Sequence, residues 1–460
     1  MLVSFSVTNF RSFRDEATLD LRAPRGAATG ARPWDGNLQA VAGIYGANAS
    51  GKTTLVRAIQ AMGQQVRDSY RRSLVTAEPF AFDTTSRRRP TEWAATFVAE
   101  DGACYAYGFS VFNGHVVEEW AERYSSARAT RLFERQGSAI RFGAALKGPN
   151  RSVEKTMRDK SLYLSAAAAA AHDGLAPVYG WFLDRLRPVA AHQHTSLLGH
   201  ALATLVEDPP RRDRLTAILS RADLGLDGLD MEADQPPRVD LTAVARAGAD
   251  VPALAGQPGP GKLAGEATPR PRGGDGPVPV ETAPAGRTSG GAAPPGVAES
   301  SPTPLSYEAF GTHVSGGQSY RLPLADESDG TRAMLCHAFV IDEALRAGAT
   351  VVFDEIDASL HPLLVRELVR TFQDRQLNPH QAQLVFTTHD VSLMDAGYGP
   401  GPQLSRDEVW VTEKDPSGAS ALVALADYSP RTRENLARRY LSGRYGGIPV
   451  PVGLVDPVLV

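Results

Sequence analysis

The sequence predicts an α/β fold. A mixed sheet carries a phosphate-binding loop, an antiparallel subdomain adjoins it, and a helical insertion and a disordered linker split the whole. Three observations predict this. Residues 41–62 join an apolar strand, Val41-Ala42-Gly43-Ile44-Tyr45, to a helical pattern through Gly46-Ala47-Asn48-Ala49-Ser50-Gly51-Lys52-Thr53. That segment meets every fixed position of G-x-x-x-x-G-K-[ST]. A second buried-type strand, Ala349-Thr350-Val351-Val352-Phe353, ends far downstream in Asp354-Glu355. Between the two, residues 246–304 are Pro, Gly, Ala and Ser with few large apolar side chains, too little to bury a core.

Taken in order, residues 1–22 alternate Val3, Phe5 and Val7 with polar residues, turn through Asn9-Phe10-Arg11-Ser12-Phe13, and return through Ala17-Thr18-Leu19. This predicts a β-hairpin. The start lacks a basic n-region, so a strand is expected there and not a signal peptide. In the phosphate loop, Gly46 and Gly51 let the backbone turn and aim its N–H groups inward. Ser50, Asn48 and Thr54 complete the phosphate cradle with the helix N-terminus. Lys52 reaches the β- and γ-phosphates and the Thr53 hydroxyl ligates Mg²⁺. The chain favours arginine, and Lys52 is its only lysine before Lys147. From Pro79 to Arg135, four alternating runs predict an antiparallel sheet, with Glu100-Asp101-Gly102 as one turn.

Residues 150–230 change character. Six consecutive alanines (166–171) and the apolar stretches 178–183 and 201–206 predict helices. The expected domains are 1–149 (first lobe), 150–245 (helical insertion), 246–304 (linker) and 305–460 (second lobe). Inside the linker, Gly256-Gln257-Pro258-Gly259-Pro260-Gly261-Lys262-Leu263 imitates a phosphate loop. It has Leu263 where a magnesium-binding hydroxyl is needed, and no strand or helix flanks it.

In the second lobe, Asp354 is placed to hold Mg²⁺ and Glu355 to orient and polarise the attacking water. Another strand, 383–388, ends in His389, which is placed to hydrogen-bond a γ-phosphate. Two segments compete as a signature that offers a Ser hydroxyl and a Gly backbone to a γ-phosphate. Ser315-Gly316-Gly317-Gln318 matches the familiar string literally; Glu327-Ser328-Asp329-Gly330-Thr331-Arg332 matches loosely. Only the second opens an amphipathic helix, so Ser328, Gly330 and Thr331 are assigned and 315–318 is read as a hairpin turn.

These motifs in this order, with Phe-Asp-Glu-Ile-Asp-Ala-Ser-Leu-His-Pro (353–362) and Thr-Thr-His-Asp (387–390), resemble the ABC-type ATPases of the SMC/RecF/OLD group. The chain is more closely similar to bacterial AAA-type ATP-binding proteins of abortive-infection and restriction-linked phage-defence systems, RloA-like and Septu-type ATPases among them. Asn9–Phe13, Pro79–Asp83 and the tail 440–449 carry that narrower likeness. The resemblance implies an ABC-type P-loop head that binds ATP and Mg²⁺ and pairs as a homodimer with ATP between heads. Lys52, Thr53, Asp354, Glu355 and His389 would act from one subunit and Ser328 and Gly330 from the other, with Asp357 coupling the two sites. Arg11 and Ser12 are expected near the nucleotide. The implied function is an ATP-hydrolysing switch that controls a separate effector, a nuclease, on sensing foreign or damaged DNA. The alternatives are a repair or chromosome-maintenance ATPase without a toxic partner, an ATP-dependent scaffold with little turnover, and, least favoured, a transporter ATPase.

Composition excludes other classes. The formal charge of −4 is no nucleic-acid-coat signature. Two cysteines, Cys104 and Cys336, without metal spacing fit a reducing cytoplasm and no zinc site. No apolar run approaches the ~18–20 residues that span a bilayer.

Overall fold

A computed structural model describes residues 1–23, 38–125, 128–190, 194–222, 225–233, 307–395, 403–431 and 434–449. The predicted linker 246–304 and its decoy motif lie outside them. The chain divides into two units, Met1–Met231 with Ala309–Val460, and Glu232–Glu308. Of the second, the described residues are only strand ends (232, 233, 307 and 308).

The first lobe opens with β1 (Leu2–Thr8) and β2 (Ala17–Asp20), paired antiparallel as predicted. Then come β3 (Val41–Gly46) and helix α1 (Lys52–Arg72). Strands β4 (Thr91–Val98), β5 (Cys104–Phe112), β6 (His115–Tyr124), β7 (Ala129–Gln136) and β8 (Ala139–Phe142) extend the hairpin. Together they make a seven-stranded antiparallel sheet ordered β2-β1-β4-β5-β6-β7-β8. Trp93, Ala95 and Phe97 alternate inward along β4, and Trp181 stacks on Phe97 at 4.1 Å.

Helices α2 (Asn150–Thr156), α3 (Tyr163–Ala169) and α4 (Ala176–Gly180) follow. Next comes a strand with no signal in the sequence. β9 (Leu186–Val189) lies inside the stretch expected to be wholly helical, and it pairs parallel with β13 (Thr350–Phe353) at the edge of the central sheet. Four residues are too few to show a period, and Pro188 argues against an interior strand; an edge strand tolerates the missing N–H. Helices α5 (His194–Glu207) and α6 (Pro209–Arg221) complete the insertion. Strands β10 (Gly228–Ala233), β11 (Tyr307–Ser315) and β12 (Gln318–Pro323) form a small sheet, with Gly316 and Gly317 at positive φ in the β11–β12 turn. The literal Ser315–Gln318 string therefore is a hairpin turn.

The second lobe runs through α7 (Asp329–Ala347), β13, α8 (Pro362–Gln373), β14 (Gln383–Thr387), β15 (Val409–Lys414), β16 (Ser420–Ala424) and α9 (Leu436–Leu441). Helix α9 starts at Leu436, where the Asn435 side chain caps it by accepting from Arg438 N at 2.8 Å.

The central sheet is ordered β16-β15-β3-β14-β13-β9, parallel except for β16. Its period-2 alternation divides two cores. Ala42, Ile44, Val352, Val385 and Trp410 face α1 and the antiparallel sheet. Val41, Tyr45, Val351, Phe353, Leu384, Phe386, Val409 and Val411 face α7, α8 and α9. Both faces are covered, which is why these strands read as continuous apolar runs.

One buried ion pair ties the antiparallel sheet to the helices. Glu119, fully buried, accepts from Tyr163 N at 2.6 Å, Leu164 N at 2.9 Å, Tyr107 Oη at 3.0 Å and Arg135 Nη1 at 3.4 Å. It thereby caps α3. Burial raises its carboxyl above the ordinary range, against the lowering effect of Arg135 and the two backbone donors. Glu119→Ala strands Arg135 and two N–H groups, so urea unfolding should show a loss of about 3–5 kcal/mol. A loss under 1 kcal/mol would show that water replaces the carboxylate.

Candidate functional site

Strand β3 delivers the phosphate loop to the carboxyl edge of the central sheet, where open α/β sheets place their ligands. Gly46, Ala49 and Gly51 have φ of 155°, 61° and 122°. At Gly46 a Cβ would collide with Thr412 Oγ1, and at Gly51 one would stand 2.7 Å from Ser420 Oγ, so both glycines are required sterically as well as conformationally. The loop is braced from β15 by Ser50 Oγ against Thr412 Oγ1 at 2.5 Å. Asn48 is exposed at its tip. Lys52 is buried and donates to the carbonyls of Gly46 at 2.8 Å and Ala47 at 3.1 Å. Burial lowers its pKa, and Glu355, Asp354 and Asp357 oppose that shift from nearby.

The acidic residues arrive from 300 positions downstream. Thr53 Oγ1 donates to Asp354 Oδ1 at 3.2 Å, and Thr387 Oγ1 donates to the same oxygen at 2.9 Å. Glu355 N donates to Thr387 Oγ1 at 2.7 Å, while the Glu355 side chain is exposed at a residue with φ of 55°. A non-glycine residue held there is strained by about 1–2 kcal/mol. Asp357 Oδ2 accepts from His389 N at 3.3 Å, and its buried Oδ1 has no partner among the described residues. His389 is exposed. Burial and then Lys52 lower its pKa, with Asp357 and Glu355 opposing, so its imidazole is neutral near neutral pH.

The residues fit a magnesium nucleotide. Thr53 and Asp354 converge oxygen ligands of the kind Mg²⁺ takes. The glycines leave a cradle that side chains would fill, and Ser420 Oγ is buried beside it with no partner among the described residues. Thr54 Oγ1 accepts from Ser12 Oγ at 3.3 Å, and Ser420 N donates to Ser12 O at 2.7 Å, which brings the first hairpin to the site. Arg11 instead pairs with Glu78 at 2.7 Å.

Ser328 caps α7, accepting from Thr331 N at 3.0 Å and sharing a hydrogen bond with Thr331 Oγ1 at 2.8 Å. A Cβ at Gly330 would lie 3.0 Å from Ser359 O, just past Asp357. Among the described residues, no hydrogen bond or ion pair joins Ser328, Gly330 or Thr331 to the phosphate loop of the same chain.

Ser12 reaches the site as expected, while three further polar residues there, Thr387, Thr412 and Ser420, were not assigned from the sequence. Thr387 stands directly before Thr388-His389 and carried a usable signal; Thr412 and Ser420 sit in strands with none.

Residues 41–395 match the family profile described as "AAA domain, putative AbiEii toxin, Type IV TA system". The chain belongs to this family. No curated protein sequence matches it. Among solved structures it is similar to an SMC head bound to the C-terminal winged-helix domain of ScpA, at 12% identity and a TM-score of 0.42, covering 92% of this chain and 96% of that one. The SMC head of Thermotoga maritima gives 11% and 0.38, covering 92% and 98%. The recombination mediator RecF with ATP gives 12% and 0.34, covering 92% and 97%. The match over 41–395, not these distant likenesses, places the chain in the family.

Thr387 generates a prediction. Thr387→Val removes both the donor to Asp354 and the acceptor for Glu355 N–H. Mg²⁺-dependent ATP turnover should fall roughly 10–100-fold, while nucleotide binding without metal, measured by calorimetry, stays within error. Unchanged magnesium dependence would remove Thr387 from the site.

Proposed function

We propose that this chain is a Mg²⁺-dependent ATP-hydrolysing switch whose heads pair around two nucleotides and control a separate effector, a nuclease, on sensing foreign or damaged DNA. One observation carries the hydrolytic part. Asp354 is hydrogen-bonded to Thr53 of the phosphate loop, while Glu355, the next residue, is left exposed at the same edge. One carboxylate is committed to the metal side and its neighbour is free for a water. The defence role is supported by the abortive-infection character of the family. Among the described residues no helix is long and apolar enough to cross a membrane.

Lys52 exchanges the Gly46 and Ala47 carbonyls for phosphate oxygens, and the loop N–H groups bind the remaining ones. Thr53 and Asp354 would hold Mg²⁺, which would supply charge neutralisation for the transferred phosphoryl group. Glu355 orients and polarises the attacking water, and His389 donates one hydrogen bond from beyond β14. The helix start at Ser328 and Gly330 faces the nucleotide of a second subunit, with Asp357 between the two sites.

Two variants and the unmodified protein test this. Lys52→Ala should abolish tight ATP binding in calorimetry. Glu355→Gln should bind normally and lose turnover by roughly 10²–10⁴-fold. Purified protein that binds no ATP defeats the reading.

A mixing experiment tests assembly. Ser328→Arg should keep monomer affinity near wild type, yet block ATP-driven association and turnover. Combining it with Lys52→Ala should recover activity, because a mixed dimer holds one intact composite site. Full activity of Ser328→Arg alone would overturn the assignment of the signature.

A further inference from the structure

Glu327 immediately precedes Ser328, and a histidine from another element holds it. His313 Nε2, on β11, stands 2.6 Å from Glu327 Oε1, and His313 Nδ1 stands 2.7 Å from the carbonyl oxygen of Gly225. A carbonyl oxygen only accepts, so Nδ1 donates. Imidazole is a stronger base than a carboxylate, so the proton on the other hydrogen bond belongs to Nε2. Both ring nitrogens therefore donate, which requires the imidazolium.

The surroundings are shaped for this contact. The Glu327 side chain is 5% exposed. Two residues before His313, on the same face of β11, stands Gly311, where any Cβ would collide with Glu327 Oε1. The clamp joins three segments: the stretch after α6, the β11–β12 hairpin and the entry to α7. Among the described residues, the charged groups around the ring are Glu327 and Asp227, whose Oδ2 accepts from Val314 N at 2.9 Å. Across the small sheet, Asp230 on β10 accepts from Thr312 Oγ1 at 2.9 Å and pairs with Arg321 on β12 at 3.7 Å. The hydrogen bond to Glu327 holds the imidazolium above the ordinary histidine range, against the opposing effect of burial; Gly225, Glu327 and Asp227 add to it.

We propose that His313 is a positioning residue for the signature: its imidazolium pins Glu327 between Gly225 and β11 and so aims Ser328 and Gly330 at the start of α7. The idea rests on the reading of Ser328 and Gly330 as partner-facing groups. It adds that the insertion and the hairpin report on that face. Because the folded pKa is raised, the clamp is complete below the unfolded histidine value of about 6.5 and is lost as pH rises through the raised value.

The test measures association of the full-length protein with a non-hydrolysable ATP analogue by sedimentation velocity, from about pH 6 to pH 9, a range spanning histidine titration. Wild-type association should weaken about tenfold as pH rises, in line with loss of one charge-assisted hydrogen bond. His313→Gln places an uncharged donor near Glu327 at every pH, so its profile should be flatter. His313→Ala should associate about tenfold more weakly at pH 6, with analogue binding to the monomer unchanged. The proposal is overturned if His313→Gln keeps the wild-type profile, if His313→Ala associates normally at pH 6, or if the His313 ring titrates in NMR at or below the ordinary value. Ser328→Arg serves as the reference. If it associates normally, the partner-facing reading fails. If it does not associate and the His313 variants follow wild type, only the clamp fails.

Discussion

Asp354 is buried at the end of β13, and one of its oxygens accepts hydrogen bonds from Thr53 and from Thr387. Its backbone N–H donates to Val189 O of the neighbouring strand at 3.0 Å. Three segments, the phosphate loop, β9 and β14, are thus registered to a single residue at the end of a fourth, β13. A buried carboxylate is tolerable only when its lone pairs are engaged. The site and the sheet therefore depend on each other. Without the hydroxyls the carboxylate is poorly satisfied, and without the sheet the hydroxyls do not meet.

The parallel pairing of β3 between β14 and β15 makes that meeting geometrically inevitable. Val41–Ile44 pair with Leu384–Thr387, and Gly43–Gly46 pair with Val409–Thr412. The parallel strands all end at one edge, so the loops that follow β3, β13 and β14 come together there. Strain collects in the same loops. Ala49, Glu355 and Ser359 all have left-handed backbone conformations. Such residues persist only where the frame around them is over-determined, and here both faces of the sheet are packed by large cores.

The parts that face away from the phosphate loop add directional polar contacts to their apolar packing. Glu119 and Arg135 fasten α3 to the antiparallel sheet, and α3 lies along α1 through Ser69 and Ser165: Leu162 N donates to Ser69 Oγ at 3.2 Å and Tyr70 N to Ser165 Oγ at 3.1 Å. On the opposite face, Arg211 of α6 pairs with Asp342 at 2.8 Å and stacks over Phe339 at 4.1 Å, both on α7. The insertion is thereby coupled to the helix that Ser328 begins.

Local chemistry decided what the sequence could reveal by itself. The phosphate loop, Asp354-Glu355, His389 and the Ser328 helix start were legible because each combines a residue type with an adjacent strand or helix signal of the correct period. The same logic placed the hairpin turn at 315–318, since a strand and not a helix follows it. What remained hidden was every feature whose partner is remote in the chain. β9 is four residues long with a proline, and only its pairing with β13 makes it a strand. Thr412 and Ser420 are ordinary strand residues until the sheet sets them beside Ser50 and Gly51. His313 and Glu327 are unremarkable in sequence, and become a pair only when β11 is laid against the entry to α7. Hydrogen bonds act over about 3 Å, whereas sequence periodicity reports only which face of an element is buried, so the identities of remote partners were decided by tertiary structure alone.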